Sequence, residues 1–290
     1  MMKKTGILTD SHSGITQEEA KKLGIYVLPM PFYINDQCHY EGKDISREEF
    51  IELLKNDENV STSQPSPEAV MNLWDEILKE YEELVYIPIT SGLSGSCSTA
   101  TAMAQDDDYE GKVFVVDNGR VSTPMKQSVL DAIELLNEGC SAKEIKNRLE
   151  EAKGKMGIFV AVDDLKYLKK GGRISSSVAL VGGMLKVKPI LKFDIGTLDS
   201  FKNCRGLIKA KTVMIEEVKR IVTTDYAEDF EKGNVHILAA SSADEEETKK
   251  WVNEIQEAFP GIKVLWDYLP MGITCHIGPG GLGIGYSVRP

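Results

Sequence analysis

Thr5-Gly6-Ile7-Leu8-Thr9-Asp10-Ser11-His12-Ser13 begins as a short apolar run and ends in four polar side chains. Such a run suits a strand, and the polar residues after it suit the loop that a strand end presents. Thr16 then stands three residues before Glu19, the spacing that lets a hydroxyl and a carboxylate satisfy the first free N–H groups of a helix. The same alternation continues outward. Ile25–Tyr33, Leu84–Thr90 and Val113–Asp117 read as further strands. Ser46 with Glu49 and Ser141 with Glu144 repeat the capping box, and Ser66 before Pro67 opens another helix, with Val70, Leu73, Trp74 and Ile77 on one face. Strands alternating with helices predict a parallel sheet with right-handed crossovers, a Rossmann-like α/β unit.

Beyond Gly157 the pattern changes. Ile158–Val162 reads as a strand, Leu165–Lys170 as a short helix stopped by Gly171 and Gly172, and Ser176–Leu185 as another helix. Pro189–Asp194 and Thr197–Asn203 flank Ile195-Gly196 as a hairpin. A helix over Leu207–Val222 follows, then strands Val235–Ala240 and Lys263–Tyr268 around the helix Glu245–Phe259, and a closing strand Gly283–Val288. This is a mixed, partly antiparallel α+β arrangement. Two domains are expected, residues 1–157 and 158–290. The length of 290 residues, near the limit that one core serves, agrees.

Composition excludes several classes. With 42% apolar and 27% charged residues, disorder is ruled out. No apolar run approaches the ~18–20 residues of a membrane span, and Met1–Thr9 leads straight into a strand, so a cytoplasmic protein without integral membrane association is expected. Five scattered cysteines form no C-x-x-C, and four histidines show no metal spacing, so neither metal nor cofactor is expected. Net charge is 34 − 45 = −11. Residues 1–157 hold 16 − 28 = −12 and the remainder 18 − 17 = +1, yet Lys166 to Lys211 carries eleven basic and two acidic residues. A bulk-acidic chain is a poor nucleic-acid binder, whereas one basic face can dock an acidic partner.

Four polar clusters stand out: Asp10–Ser13, Ser61–Ser66, Ser91–Ser96 and His276–Gly281. Hydroxyls and glycines beside helix N-termini suit an anionic oxygen group, although any single serine is explained as readily by a cap or a turn. Gly92-Leu93-Ser94-Gly95-Ser96 resembles a nucleophile elbow with Ser96 in place of its last glycine. Ser94, His276 and Asp10 or Asp117 would then make an acyl ester hydrolase, the alternative reading. Gly278-x-Gly280-x-x-Gly283 has the dinucleotide fingerprint but no room for the helix that must follow it.

Taken together, Thr9-Asp10-Ser11, Thr62-Ser63-Gln64-Pro65-Ser66, Ser91-Gly92-Leu93-Ser94-Gly95-Ser96, Val116-Asp117, Gly172-Arg173-Ile174, Lys188-Pro189-Ile190-Leu191 and His276-Ile277-Gly278-Pro279-Gly280 resemble the DegV family of bacterial lipid-binding proteins across essentially the whole chain. The resemblance implies a long-chain fatty acid held between two α/β domains. Its carboxylate would lie at Thr62, Ser94, Gly95 and His276, with Asp10, Ser11, Ser63, Ser91, Asp117 and Gly278 supporting the pocket. It further implies a carrier without catalysis of its own, which presents the carboxylate to a dihydroxyacetone-kinase-like fatty acid kinase for acyl-phosphate formation. Arg173 and Arg205 would dock that kinase. Flexible methionines (Met30, Met71, Met103, Met125, Met184 and Met271) are candidates for the acyl tunnel. The chain departs from the family pattern at Gly14, Asn118 and Thr123-Pro124-Met125-Lys126, which bears on the acyl length the pocket takes.

Overall fold

The computed structural model describes residues 3–173 and 187–290. The expected helix over Ser176–Leu185, with Ile174 and Met184, lies outside them. The first sheet contains β1 (Lys3–Asp10), β2 (Tyr26–Leu28), β6 (Tyr81–Ile87) and β7 (Val113–Val115), all parallel in the order β2-β1-β6-β7. Alternate residues serve its two faces. Ile7, Val85 and Ile87 pack under α1 (Gln17–Leu23), α5 (Ser122–Asn137) and α6 (Ala142–Glu151). Leu8, Leu84 and Tyr86 pack on the other side under α3 (Pro67–Leu78) and α4 (Ser96–Met103), around the fully buried Trp74. Both Ser46 and Ser141 make complete capping boxes, the first of them opening α2 (Arg47–Lys55). Thr16 and Ser66 cap their helices as their spacing predicts.

The single strand expected over Ile25–Tyr33 is two strands in two sheets. Pro29 and Pro31 remove backbone donors, so the ladder of β2 stops and the chain starts again as β3 (Pro31–Ile34). Asn35 and Asp36, both at positive φ, turn β3 into β4 (Gln37–Tyr40). With β5 (Val60–Thr62) they form a small antiparallel sheet in the order β4-β3-β5.

The second large sheet runs β10-β9-β8-β13-β11-β12 and is mixed, as expected. It comprises β8 (Met156–Ala161), β9 (Val187–Asp194), β10 (Thr197–Arg205), β11 (Val235–Ser241), β12 (Leu265–Tyr268) and β13 (Leu282–Val288), with only β11 and β12 parallel. β9 and β10 form the expected hairpin, and β13 is the strand that rules out a dinucleotide loop at Gly278–Gly283. One face is covered by α8 (Leu207–Thr224) and α10 (Glu245–Ala258) through Val213, Met214, Trp251 and Ile255. The opposite face, with Val160, Leu191, Phe193 and Leu198, packs against Met30, Ile89, Val121 and Met125 from the first part of the chain. α7 (Lys166–Gly171) and α11 (Met271–Ile277) pack together at the edge of this junction, and α9 (Ala227–Glu231) lies at the periphery.

Candidate functional site

Three separate elements converge at the junction. β5 ends on Thr62, the loop after β6 carries Ser94 and Gly95, and α11 carries His276 in its last turn. Thr62 Oγ1 and His276 Nε2 are 3.0 Å apart. All four residues line one cavity, together with Ser63 and Arg173. Ser94 Oγ donates to Ser96 Oγ at 3.1 Å. Gly95 is the N-cap of α4 and supplies no side-chain cap, which leaves the N-terminal end of that helix facing the cavity. His276 was expected to open a glycine-rich loop. It instead belongs to a helix that the sequence reading missed, because the seven residues Met271–Ile277 are too few for a helical period to show.

Close packing fixes the imidazoles. A β-carbon on Gly171 would fall 1.9 Å from His276 Nδ1, and one on Gly272 would fall 2.5 Å from His12 Nε2. Only glycine lets α7 and α11 seat the rings there. Burial, reinforced by the positive charge of Arg173, pushes the His276 imidazole down to about 4, so the ring is neutral near pH 7. Arg173 donates through Nη1 to Gly171 O at 2.6 Å and through Nε to Leu93 O at 3.3 Å, which holds its guanidinium at the cavity wall.

Of the expected supporting residues, Ser63 lines the cavity itself, and Asp10, Ser11, Ser91, Asp117 and Gly278 stand at one remove. Asp10 is fully buried, and its two oxygens accept from His12 N and Ile89 N, each at 2.8 Å; both of those residues line the cavity. Ser11 Oγ accepts from Met30 N at 3.0 Å. Asp117 accepts from Ser91 Oγ at 2.5 Å and Lys153 Nζ at 2.7 Å, bracing the loop that carries Ser94. Burial works to raise the Asp117 carboxyl, but the bonds from Lys153 and Ser91 hold it below the ordinary carboxylate range. Gly278, at φ +79, ends α11 where a β-carbon would strike the Tyr167 ring. His12, Gln64 and Ile273 also line the cavity and were missed as site residues. His12 and Gln64 stood within quoted polar clusters, whereas nothing in the sequence marked Ile273.

A second, apolar cavity continues from the first. The two share Leu93, Leu198, Ile273 and Ile277. One wall is the open face of the second sheet, including Ile158, Val160 and Phe193, and the other is Val121–Pro124 at the start of α5. Among the described residues, none of the expected methionines lines it. Met71 and Met103 pack on the first sheet, Met271 packs near Phe32, and Met30 and Met125 are core residues behind the wall. Branched aliphatic side chains and glycines of rigid strands make the surface instead. Two of the departures noted above, Thr123 and Pro124, lie on this wall.

The geometry of a serine triad is not assembled. His276 Nε2 faces Thr62 rather than Ser94, and among the described residues its Nδ1 has no hydrogen-bond partner. Asp10 and Asp117 are held by the other partners named above. Among the described residues no three His, Cys, Asp or Glu side chains gather as a metal would require, and no helix is long and apolar enough to cross a membrane.

The basic stretch is partly neutralised: Lys166 pairs with Asp57, Lys188 with Asp163, Lys192 with Asp194 and Lys211 with Glu247. Arg205 is exposed at the far end of β10, seven residues from the cavity-lining Leu198, or about 23 Å along a strand, so it does not share the cavity with Arg173.

Comparison with known proteins gives a consistent result. The family model described as "Uncharacterised protein, DegV family" matches residues 4–289. A DegV domain-containing protein of Caldanaerobacter subterraneus subsp. tengcongensis is 32% identical over 292 residues, covering 99% of this chain and all of the relative. Among solved structures, a DegV family protein from Thermus thermophilus, described by its fatty acid binding, superposes with a TM-score of 0.84 at 27% identity, covering 98% of this chain and 99% of the other. DegV of Bacillus subtilis, described as a fatty acid binding protein, also gives 0.84, at 29% identity over 99% and 100%. The chain belongs to the DegV family.

Proposed function

We propose that this protein binds one long-chain fatty acid, with the carboxylate at Thr62, Ser94, Gly95 and His276 and the tail in the adjoining apolar cavity. The observation that carries this reading is the continuity of a polar, Arg173-flanked cavity with an apolar one through four shared aliphatic residues. The related fatty-acid-binding structures support it. A chain of ~15 methylenes at ~0.8 kcal/mol each gives roughly 12 kcal/mol of gross transfer free energy, while sub-micromolar binding needs only ~8–9. The tail therefore supplies affinity, and the hydroxyls and imidazole set orientation. In this reading residues 1–157 and 158–290 are two domains that close on the acid.

The protein then acts in the cytoplasm as a carrier without catalysis of its own. It hands the carboxylate to a dihydroxyacetone-kinase-like fatty acid kinase, with Arg173 at the cavity and Arg205 on the β10 rim as docking contacts. The test begins with purified protein, denatured, extracted with organic solvent and weighed for lipid by mass spectrometry. One equivalent of fatty acid is expected, with rebinding of labelled oleate and no turnover of an acyl ester. No lipid, and no binding of oleate or palmitate at micromolar concentration, overturns the carrier. In a reconstituted kinase assay, Arg205→Ala should slow acyl-phosphate formation at low salt while fatty-acid affinity stays the same. Undiminished flux removes Arg205 from the docking face.

A further inference from the structure

The strand registers order the cavity side of the second sheet into rungs across β8, β13 and β11. They are Val160–Gly283–Ala240, then Ile158–Gly285–Leu238, then Met156–Ser287–His236. The first two rungs line the apolar cavity and the third does not. In both lining rungs the middle strand supplies no side chain, so a trench runs along β13 between the aliphatic side chains of its neighbours. Glycine inside an interior strand loses conformational entropy on folding and packs nothing in return. Neither glycine is at positive φ. Among the described residues, a β-carbon on Gly283 would meet only Ala240 O at 3.5 Å and Phe159 O at 3.7 Å, which is ordinary contact. Neither backbone shape nor packing therefore requires glycine at 283, and the side it leaves bare faces the cavity.

The trench also has a direction. Ile277, shared with the polar cavity, lies by its first rung: a β-carbon on Gly281, two residues before Gly283, would fall 2.4 Å from Ile277 Cγ2. At the other end Met156 and Ser287 are buried, and His236 stands 3.6 Å from the Asp131 carboxylate of α5, itself 3.5 Å from Arg120. A rung flanked by buried ionic groups is a poor seat for a terminal methyl.

We infer that Gly283 and Gly285 seat the distal part of the acyl tail, and that the Met156–Ser287–His236 rung sets the longest chain accepted. This rests on the fatty-acid reading above and deepens it into a selectivity for acyl length. The two glycines are specificity determinants, because the trench they leave admits methylenes that a side chain would displace.

The test is competition against labelled oleate by straight saturated acids, from octanoic to behenic acid. Wild-type affinity should rise with length, reach a maximum and then fall. In Gly283→Ala the rise should stop at a shorter acid. Stearic acid should bind that variant about tenfold more weakly, the worth of about two displaced methylenes, while the shortest acids that compete are held equally well. Gly283 is the position to change, because a β-carbon on Gly285 would press on Gly157 O at 3.0 Å. Should Gly283→Ala fail to fold, Ala240→Val, which narrows the same rung from β11, should move the maximum the same way. An unchanged length profile in a folded variant overturns the inference, as does a uniform loss at every length. A wild-type affinity still climbing at behenic acid overturns it too, while fatty-acid binding stands. If no acid of any length binds the wild type, the fatty-acid reading itself has failed and this inference falls with it.

Discussion

Ser91 and Ser94 lie three residues apart on one loop, and their hydroxyls are committed differently. Ser91 Oγ points at Asp117, which Lys153 also holds, so a hydroxyl, a carboxylate and an ammonium satisfy one another. Ser94 Oγ has only the neutral hydroxyl of Ser96 to donate to and faces a cavity with Thr62, His276 and Arg173. Rotation about one bond can exchange that partner for a ligand oxygen. Identical side chains in one motif thus divide into a brace and a proposed contact, and the division follows from whether a charged partner is already in place.

Removing a brace should cost stability, and removing a contact should cost affinity. The largest effect is expected at Asp10, whose two oxygens satisfy two buried N–H groups. Asp10→Ala should lower unfolding free energy by about 3 kcal/mol or more in urea titrations at pH 7. Unchanged stability with lost ligand affinity would instead move Asp10 to the contact side.

Next come Thr62→Ala and Ser94→Ala. Each should weaken fatty-acid binding about tenfold while the melting temperature of ligand-free protein barely shifts, because a carboxylate then lacks one donor. A fatty alcohol of equal length should discriminate far less between wild type and variants. Wild-type affinity in both variants for the acid would place the carboxylate elsewhere.

His276 gives a smaller effect that depends on pH. Its folded-state value of about 4 lies below the ordinary 6.5, so between those two values the unfolded chain binds more protons than the folded one. Stability should therefore fall as pH drops from about 6.5 towards 4. The His276 share is about 1 kcal/mol at pH 6 and should be missing from His276→Gln. Parallel pH dependence of the two proteins in urea melts would remove the cause assigned here. The smallest effect is expected for Ser91→Ala, about 0.5 kcal/mol of stability with affinity intact, since Asp117 keeps Lys153. A tenfold affinity loss there would erase the distinction between the two serines.

Much of the fold was legible because its signals are local. Ser46–Glu49 and Ser141–Glu144 mark helix starts through reciprocal bonds made within four residues. The β9–β10 turn at Ile195-Gly196 is equally local. The small sheet was not legible, because the prolines that split Ile25–Tyr33 do not say where the second piece pairs. The residues proposed for the head group could be named from the family likeness, but His276 was placed on a loop rather than a helix. The apolar cavity was the least legible part. Its walls come from β8, β9, β10, β11, β13, α5 and α11, and nothing local distinguishes a strand residue facing a void from one facing a neighbour.

The 3.0 Å approach of Thr62 to His276 joins positions 214 residues apart in the chain. An acid seated on both would act as mortar between distant courses of the polypeptide, and every molecule bound would be withdrawn from the unfolded ensemble. Free acid at a hundred times its dissociation constant would add about 2.7 kcal/mol to unfolding. The melting curve of the protein would then serve as a gauge of lipid supply: cells rich in free acid would hold a tougher protein than starved ones, with no change in how much of it they make.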